Sequence, residues 1–272
     1  MDLELSNKVA LVTGAGRNVG RAIAHRLAAE GAKLVINDFF DERAQAVAKE
    51  IRDLGGRAIG IQADITAEDQ VRAMVAEVAR GLGPIEILVN NAGVPASTGS
   101  RKPGEPRSAN WAPFHESSPD LWRKIVDLNV YGTMLCTHAV LPAMIERRAG
   151  KIVSVMSEAG RVGEAKLAAY SGAKANILGF SKAIARELGC YSINVNVVAL
   201  GAIDPDSTPY PERPEERRAF LDKILKAYPI GQGLKRLCHP DDVADAICFL
   251  ASDRARYVTG QCLGLSGGFA MP

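Results

Sequence analysis

Short apolar runs of strand length alternate with longer stretches in which apolar residues recur every three or four positions. KVALVT (8–13), KLVIND (33–38), RAIGIQAD (57–64), IEILVNNAG (85–93), KIVSVMS (151–157) and INVNVVAL (193–200) read as strands, with a seventh near Gln261 to Leu265. GRAIAHRLAAEG (20–31), DERAQAVAKEIRDLGG (41–56) and EDQVRAMVAEVARGLG (68–83) read as helices, as do the stretches from about Pro119 to Arg148, Ala168 to Leu188 and Pro240 to Ala251. Repeated strand-helix-strand units with helix-length crossovers predict parallel strands, right-handed connections and helices on both faces. The expected architecture is therefore α/β, a doubly wound parallel sheet with its ligand crevice at the carboxyl ends of the strands. No internal repeat or linker divides residues 1–272, which predicts one domain.

Two segments break the rhythm. The stretch 94–120, rich in Pro, Gly and Ser, follows the fourth strand, and 202–220, rich in Pro and charge, follows the sixth. Both leave the sheet at its ligand end, so loop insertions at about 94–116 and 202–228 are candidates for lids or pocket walls.

The chain has 272 residues, 47% of them hydrophobic and 24% charged, with a formal net charge of +2. That composition suits a globular protein and excludes disordered and collagen-like classes; the charge gives no reason to expect a nucleic-acid partner. Five cysteines (Cys136, Cys190, Cys238, Cys248, Cys262) show neither a CxxC spacing nor nearby histidines, so neither a metal site nor a disulfide framework is expected. The N-terminus has no basic segment before an apolar core, and no stretch suggests a membrane span. A cytoplasmic protein is the expectation.

Candidate chemistry lies at the predicted crevice. In YSGAK (170–174) a phenol and an ammonium stand four residues apart on one helix face. A lysine beside a tyrosine stabilises the phenolate and would lower a pKa ordinarily about 10, making the pair a proton donor and acceptor near neutral pH. TGAGRNVG (13–20) joins a strand to a helix, where glycines such as Gly14 permit a tight turn and a close backbone approach to a pyrophosphate. Its spacing is not GxGxxG, and helix packing alone could also explain it. Asp38 ends the second strand, placed to accept bonds from both hydroxyls of an adenosine ribose and to repel a 2'-phosphate, which favours NAD over NADP. Arg17 argues the other way, since its guanidinium could meet a 2'-phosphate, pair with Asp38 or point to solvent. Asp64 could bond an adenine amino group or start a helix.

These residues resemble the short-chain dehydrogenase/reductase superfamily, in its one-domain branch with a TGxxxGxG loop. The likeness runs over essentially the whole chain: TGAGRNVG at 13–20, Asp64, NNAG at 90–93, Asn129 in LNVYG, Ser157 thirteen residues before Tyr170, YSGAK, and VTGQ at 258–261. It implies a Rossmann-type fold and an NAD(P)-dependent alcohol dehydrogenase or ketone reductase built on Asn129, Ser157, Tyr170 and Lys174. Tyr170 would exchange the substrate proton, Lys174 would tune the phenol and grip the nicotinamide ribose, Ser157 would bond the substrate oxygen, and Asn129 would hold a water in the proton path. Ser154 competes with Ser157 and is set aside on the family spacing. The cofactor, NAD rather than NADP, would be held by Gly14, Arg17, Asn18, Val19, Asp38, Asp64, Ile65, Asn91, Ala92, Gly93, Tyr170, Lys174, Gly201 and Ile203. The resemblance also implies a homotetramer or homodimer, with the helices carrying Asn129 and Tyr170 at one contact and the C-terminal GLSGGFAMP reaching a neighbour.

Three positions depart from the family pattern. Asn18 replaces a glycine, and asparagine shares the left-handed geometry best; Leu200 replaces the proline of a PG turn; Pro205 stands where a threonine commonly meets the carboxamide. The expected partner is a small alcohol or ketone, facing walls that include Val94, Pro95, Glu158, Glu164, Leu200 and Ala202. Alternatives are an NADP-dependent reductase of a 3-oxoacyl thioester, which the cations Arg101, Lys102 and Arg107 could serve, and a dinucleotide sensor without turnover.

Overall fold

The computed structural model describes residues 2–93, 113–204 and 214–271. Seven parallel strands form one sheet in the order β3-β2-β1-β4-β5-β6-β7. They are β1 (Val9–Val12), β2 (Lys33–Asp38), β3 (Arg57–Gln62), β4 (Ile87–Asn90), β5 (Gly150–Ser157), β6 (Ile193–Leu200) and β7 (Cys262–Leu265). Every residue of β1, β4 and β6 is buried, as expected where helices cover both faces and alternation gives way to continuous apolar runs. The strand order reverses direction between β1 and β4, the switch point that opens a crevice at the carboxyl ends.

Helices α1 (Asn18–Ala29), α2 (Asp41–Asp53) and α3 (Glu68–Gly81) fill the first crossovers. Then follow α4 (Pro119–Val126), α5 (Gly132–Arg147), the single turn α6 (Ala159–Val162), α7 (Ala168–Leu188), α8 (Pro214–Leu225), α9 (Pro229–Leu234) and α10 (Pro240–Ala251). Two core layers result. Ile23 and Leu27 of α1, Val47 and Ile51 of α2, and Val243 and Ile247 of α10 pack on one face; Met74 and Val78 of α3, Cys136, Val140 and Met144 of α5, and Leu188 of α7 pack on the other.

The structure amends the expected elements in four places. The segment predicted as one helix from about Pro119 to Arg148 contains a π-helical turn at Asp127–Tyr131 between α4 and α5, a wider winding that apolar periodicity does not register. The run Pro119–Arg147 is long and apolar enough, by length and composition only, to cross a membrane, contrary to the reading that none is; here it lays Ile125, Cys136, Val140 and Met144 into the core. The supposed irregular stretch 202–228 contains α8, whose opening Pro214, Glu215 and Glu216 are ordinary first-turn residues. Of the other insertion, only its end falls within the described residues, where Phe114–Glu116 forms a 3-10 turn and the Phe114 ring stacks on Trp122.

Candidate active site

The glycine loop and the end of β4 are tied together at the switch point by a residue that the motif reading passed over. Thr13 Oγ1 accepts from the backbone N–H groups of Asn91 and Ala92, each at 3.1 Å. In return, Asn91 Nδ2 donates to the carbonyls of Thr13 at 2.9 Å and Gly14 at 3.1 Å. Gly14 turns at φ +61°, and a Cβ there would come within 2.9 Å of Ala92 Cα, so the close approach of the two segments requires glycine. Arg17 is extended and precedes α1, and Asn18 adopts φ 51°, the left-handed conformation expected for an asparagine in a glycine position. Val19 packs on the core beneath the loop.

Asp38 closes the other side of this cradle. It is buried, with Oδ2 accepting from the Gly16 N–H and Oδ1 from the Phe40 N–H, both at 3.1 Å. A carboxylate has about four acceptor positions, so two remain for other donors. Asp41 is the first helical residue of α2 and makes no cap hydrogen bond, so Asp38 serves both the entry to α2, through Phe40, and the glycine loop, through Gly16. Asp64 is committed to its own turn: Oδ1 accepts from the Thr66 N–H at 2.9 Å and the Thr66 hydroxyl at 2.7 Å. Ile65 is buried against Gly132.

Ser157, Tyr170, Lys174 and Asn129 meet near the carboxyl ends of β4 and β5. Ser157 ends β5, and Tyr170 and Lys174 occupy the third and seventh positions of α7. The Lys174 ammonium is 5.8 Å from the centre of the Tyr170 ring and donates to the Val155 carbonyl at 3.1 Å. Asn129 lies in the π turn, its side-chain amide fixed by donation from Nδ2 to the Ile125 carbonyl at 2.9 Å, while its backbone carbonyl accepts from the Thr133 hydroxyl at 2.9 Å. That orientation leaves Asn129 Oδ1 buried with no hydrogen-bond partner among the described residues. A Cβ on Gly93 would stand 2.6 Å from both Asn129 Oδ1 and Lys174 Nζ, so a chain without a side chain at 93 is what lets these two polar atoms face a common space.

Ser154 has other work. Asn90 Nδ2 donates to Ser154 Oγ at 3.3 Å and to Thr137 Oγ1 at 3.1 Å, tying β4 to β5 and α5. Ser157 Oγ accepts from the Ala159 N–H at 3.2 Å at the edge of the site.

Electrostatics correct one expectation. Burial pushes the Tyr170 phenol up to about 12; hydrogen bonding with the Ser157 side chain pulls it down, and the Glu164 charge adds to the rise. Burial likewise brings the Lys174 ammonium down to about 7. In the protein alone, desolvation outweighs the help the lysine was expected to give the tyrosine, because an ion in a water-poor volume loses more hydration than one neighbour restores. A phenolate here becomes accessible only together with a compensating positive charge.

At the nicotinamide end, Gly201 donates its N–H to the Leu265 carbonyl at 3.3 Å, Ile203 is buried and bridges to Cys238, and Leu200 completes β6. Tyr228, absent from the sequence reading, forms a wall here: its hydroxyl accepts from the Ala202 N–H at 3.2 Å and its ring stacks on Phe269 at 5.2 Å. No motif marks it, since Tyr228 is the last residue of the stretch 202–228 read as irregular, just before α9. Glu158, expected as a substrate wall, is buried and paired with Arg161 at 3.1 Å. Val94, Pro95, Arg101, Lys102, Arg107 and Pro205 lie outside the described residues.

The cradle fits a nicotinamide dinucleotide: a glycine turn at a helix N-terminus for phosphates, a carboxylate with spare acceptor positions for a ribose, and an unpartnered carbonyl beside a lysine with unused N–H groups.

Comparison with known proteins agrees. The sequence pattern of the family described as short chain dehydrogenase matches residues 8–215. The 3-oxoacyl-[acyl-carrier-protein] reductase FabG of Staphylococcus epidermidis is 35% identical over 266 residues, spanning 97% of this chain and 100% of its own. The (2S)-[(R)-hydroxy(phenyl)methyl]succinyl-CoA dehydrogenase subunit BbsD of Thauera aromatica is 38% identical over 265 residues, covering 97% of each chain. A solved 7 alpha-hydroxysteroid dehydrogenase, complexed with NADH and 7-oxo glycochenodeoxycholic acid, superposes with a TM-score of 0.84 at 33% identity over 98% of this chain and 96% of that one. The chain belongs to the short chain dehydrogenase family of oxidoreductases.

Proposed function

We propose that the protein is an NAD-dependent oxidoreductase that interconverts a secondary alcohol and a ketone. The observation that carries this reading is the convergence of Ser157, Tyr170, Lys174 and the unpartnered Asn129 Oδ1 on the space beside Gly93. When bound, NAD supplies the hydride acceptor, and its reduced form the donor. Tyr170 takes the proton from the alcohol or returns it to the carbonyl; Ser157 orients the substrate oxygen through its hydroxyl; Lys174, with N–H groups left over from Val155, holds ribose hydroxyls and compensates the phenolate; Asn129 Oδ1 extends the proton path. Gly14, Arg17, Asn18, Val19, Asp38, Asp64, Ile65, Asn91, Ala92, Gly93, Gly201 and Ile203 form the proposed dinucleotide seat. Asp38 supports NAD, since a 2'-phosphate would meet a carboxylate.

Tyr170→Phe tests the assignment. Acid-base catalysis contributes about 10²- to 10⁴-fold, so hydride transfer should fall by at least about a hundredfold while cofactor affinity stays within a few fold. A variant keeping more than about a tenth of the activity would refute the role.

A second reading is NADP-dependent reduction of a 3-oxoacyl thioester, whose substrate class is favoured by relatives named 3-oxoacyl-[acyl-carrier-protein] reductase. Initial rates with both nicotinamide cofactors, on free ketones and on thioesters, separate the two; thioester turnover confined to NADP would establish the second. The same reading takes the enzyme as one domain in the cytoplasm, in keeping with five free cysteines, and as a homotetramer or homodimer. Sedimentation at the mass of one chain, 29.0 kDa, would contradict the assembly.

A further inference from the structure

A cavity of about 740 Å³ opens at the opposite end of the sheet, where β4, β5 and β6 begin. β5 runs eight residues from Gly150 to Ser157, so at about 3.3 Å per step the cavity lies roughly 20 Å from the proposed reaction. An occupant there touches none of the groups assigned above.

Its floor is apolar, with Leu5, Ile87 and Ile193 almost wholly buried, and Tyr257 is fully exposed at its rim. Four cations and three carboxylates share the lining. Each carboxylate is already engaged: Glu4 pairs with Arg254 at 2.8 Å, Glu86 pairs with Lys8 at 3.1 Å and accepts from the Val9 N–H, and Asp253 stands 3.4 Å from Lys151. Lys8 and Lys151 are thereby matched. Arg148 and Arg256 hydrogen-bond only backbone: Arg148 Nη2 donates to the Cys190 carbonyl at 2.5 Å, its guanidinium also lying 5.6 Å from the centre of the Tyr191 ring, and Arg256 Nε donates to the Asp253 carbonyl at 3.0 Å. Neither has a carboxylate partner among the described residues, and the terminal nitrogens of Arg256 make no protein hydrogen bond there.

The cations also crowd one another. The Lys151 side chain is 12% exposed and bonds Asn194 Oδ1 at 2.8 Å. Its ammonium is held below the usual lysine range, first by burial, with Asp253 opposing and the charges of Arg256 and Lys8 adding to the fall. Like charges gathered over an apolar floor are relieved by an anion that brings apolar surface of its own.

We propose that this cavity binds a small organic carboxylate, with its anionic group on Arg256 beside Lys151 and Arg148 and its apolar body over Leu5, Ile193 and the Tyr257 ring. Phenylacetate serves as the probe and phenylacetamide as its neutral counterpart, each titrated calorimetrically into the full-length protein. Saturable phenylacetate binding is expected, weakened about tenfold or more by Arg256→Gln, the worth of a charge-assisted hydrogen bond, and largely kept by Arg256→Lys. The amide should bind at least about tenfold more weakly. Circular dichroism melts of the exposed-site variants should match wild type. No binding of phenylacetate at about 10 mM, equal binding of the amide, or affinity untouched by Arg256→Gln would overturn the proposal.

Discussion

Tyr170 and Lys174 sit in a volume that penalises any isolated charge, and their titration states the problem the site has to solve. Lys174 has a folded-state value near 7 against an ordinary 10.5. Between those values the unfolded chain holds the extra proton, so wild-type stability should rise with pH from about 7 toward 10.5. Lys174→Met should lack that rise, as denaturant melts across the window would show. Asp38 has its own test: Asp38→Ala should raise the KM for NAD about tenfold or more and narrow the preference against NADP, the loss of one charged acceptor. The two serines separate cleanly. Ser154→Ala should cost about 1 kcal/mol of stability with near-normal turnover, because its hydroxyl serves the Asn90 tie between strands, whereas Ser157→Ala should lose about a hundredfold in rate. Most of these residues could be named from sequence because each sits in a short motif at a strand or helix end. Tyr228 could not, because its position depends on how a loop folds back over Gly201.

Secondary-structure elements supply the geometry that motifs omit. The π turn at Asp127–Tyr131 is the clearest case: the wider winding turns Asn129 inward, the bond from its Nδ2 to the Ile125 carbonyl orients its amide, and the Thr133 hydroxyl takes up its backbone carbonyl. Period-based reading treats 119–148 as one helix and is blind to a single inserted residue. The same reading missed α8 because prolines and charges resemble loop composition, although Pro-Glu-Glu is also how helices start. The strands were legible because a sheet covered on both faces writes itself as continuous apolar runs. At the start of α10, Asp242 accepts from the His239 N–H at 2.8 Å and pairs with Arg236. Hydrogen bonding from Arg236 holds the Asp242 carboxyl below its ordinary range, against the opposing effect of burial. The resulting stabilisation is present above the ordinary carboxylate range and is lost as pH falls through the lowered value. Asp242→Ala should therefore cost about 1 kcal/mol at neutral pH, the usual worth of a cap, and the difference should shrink in acid.

Across the whole molecule, the strand order that reverses between β1 and β4 brings residues from distant parts of the chain to one crevice: Thr13 and Gly14, Asp38, Asn91 to Gly93, Asn129, Ser157, and Tyr170 with Lys174. Sequence could state the class of fold and the identity of most of these groups, since spacing carries both. It could not state that burial would oppose the tyrosine, which follows from packing around the site, nor that Glu158 would be spent on Arg161, a local pair three residues apart that forms only because the chain turns into a short helix after β5. The most direct test is a crystal structure with NAD and a ketone or alcohol ligand bound. The account predicts the adenosine ribose on Asp38, the nicotinamide ribose on Lys174 and the reacting oxygen within hydrogen-bond distance of both Ser157 and Tyr170. A nicotinamide ring remote from Tyr170, or a Tyr170 hydroxyl turned away from the ligand oxygen, would contradict it.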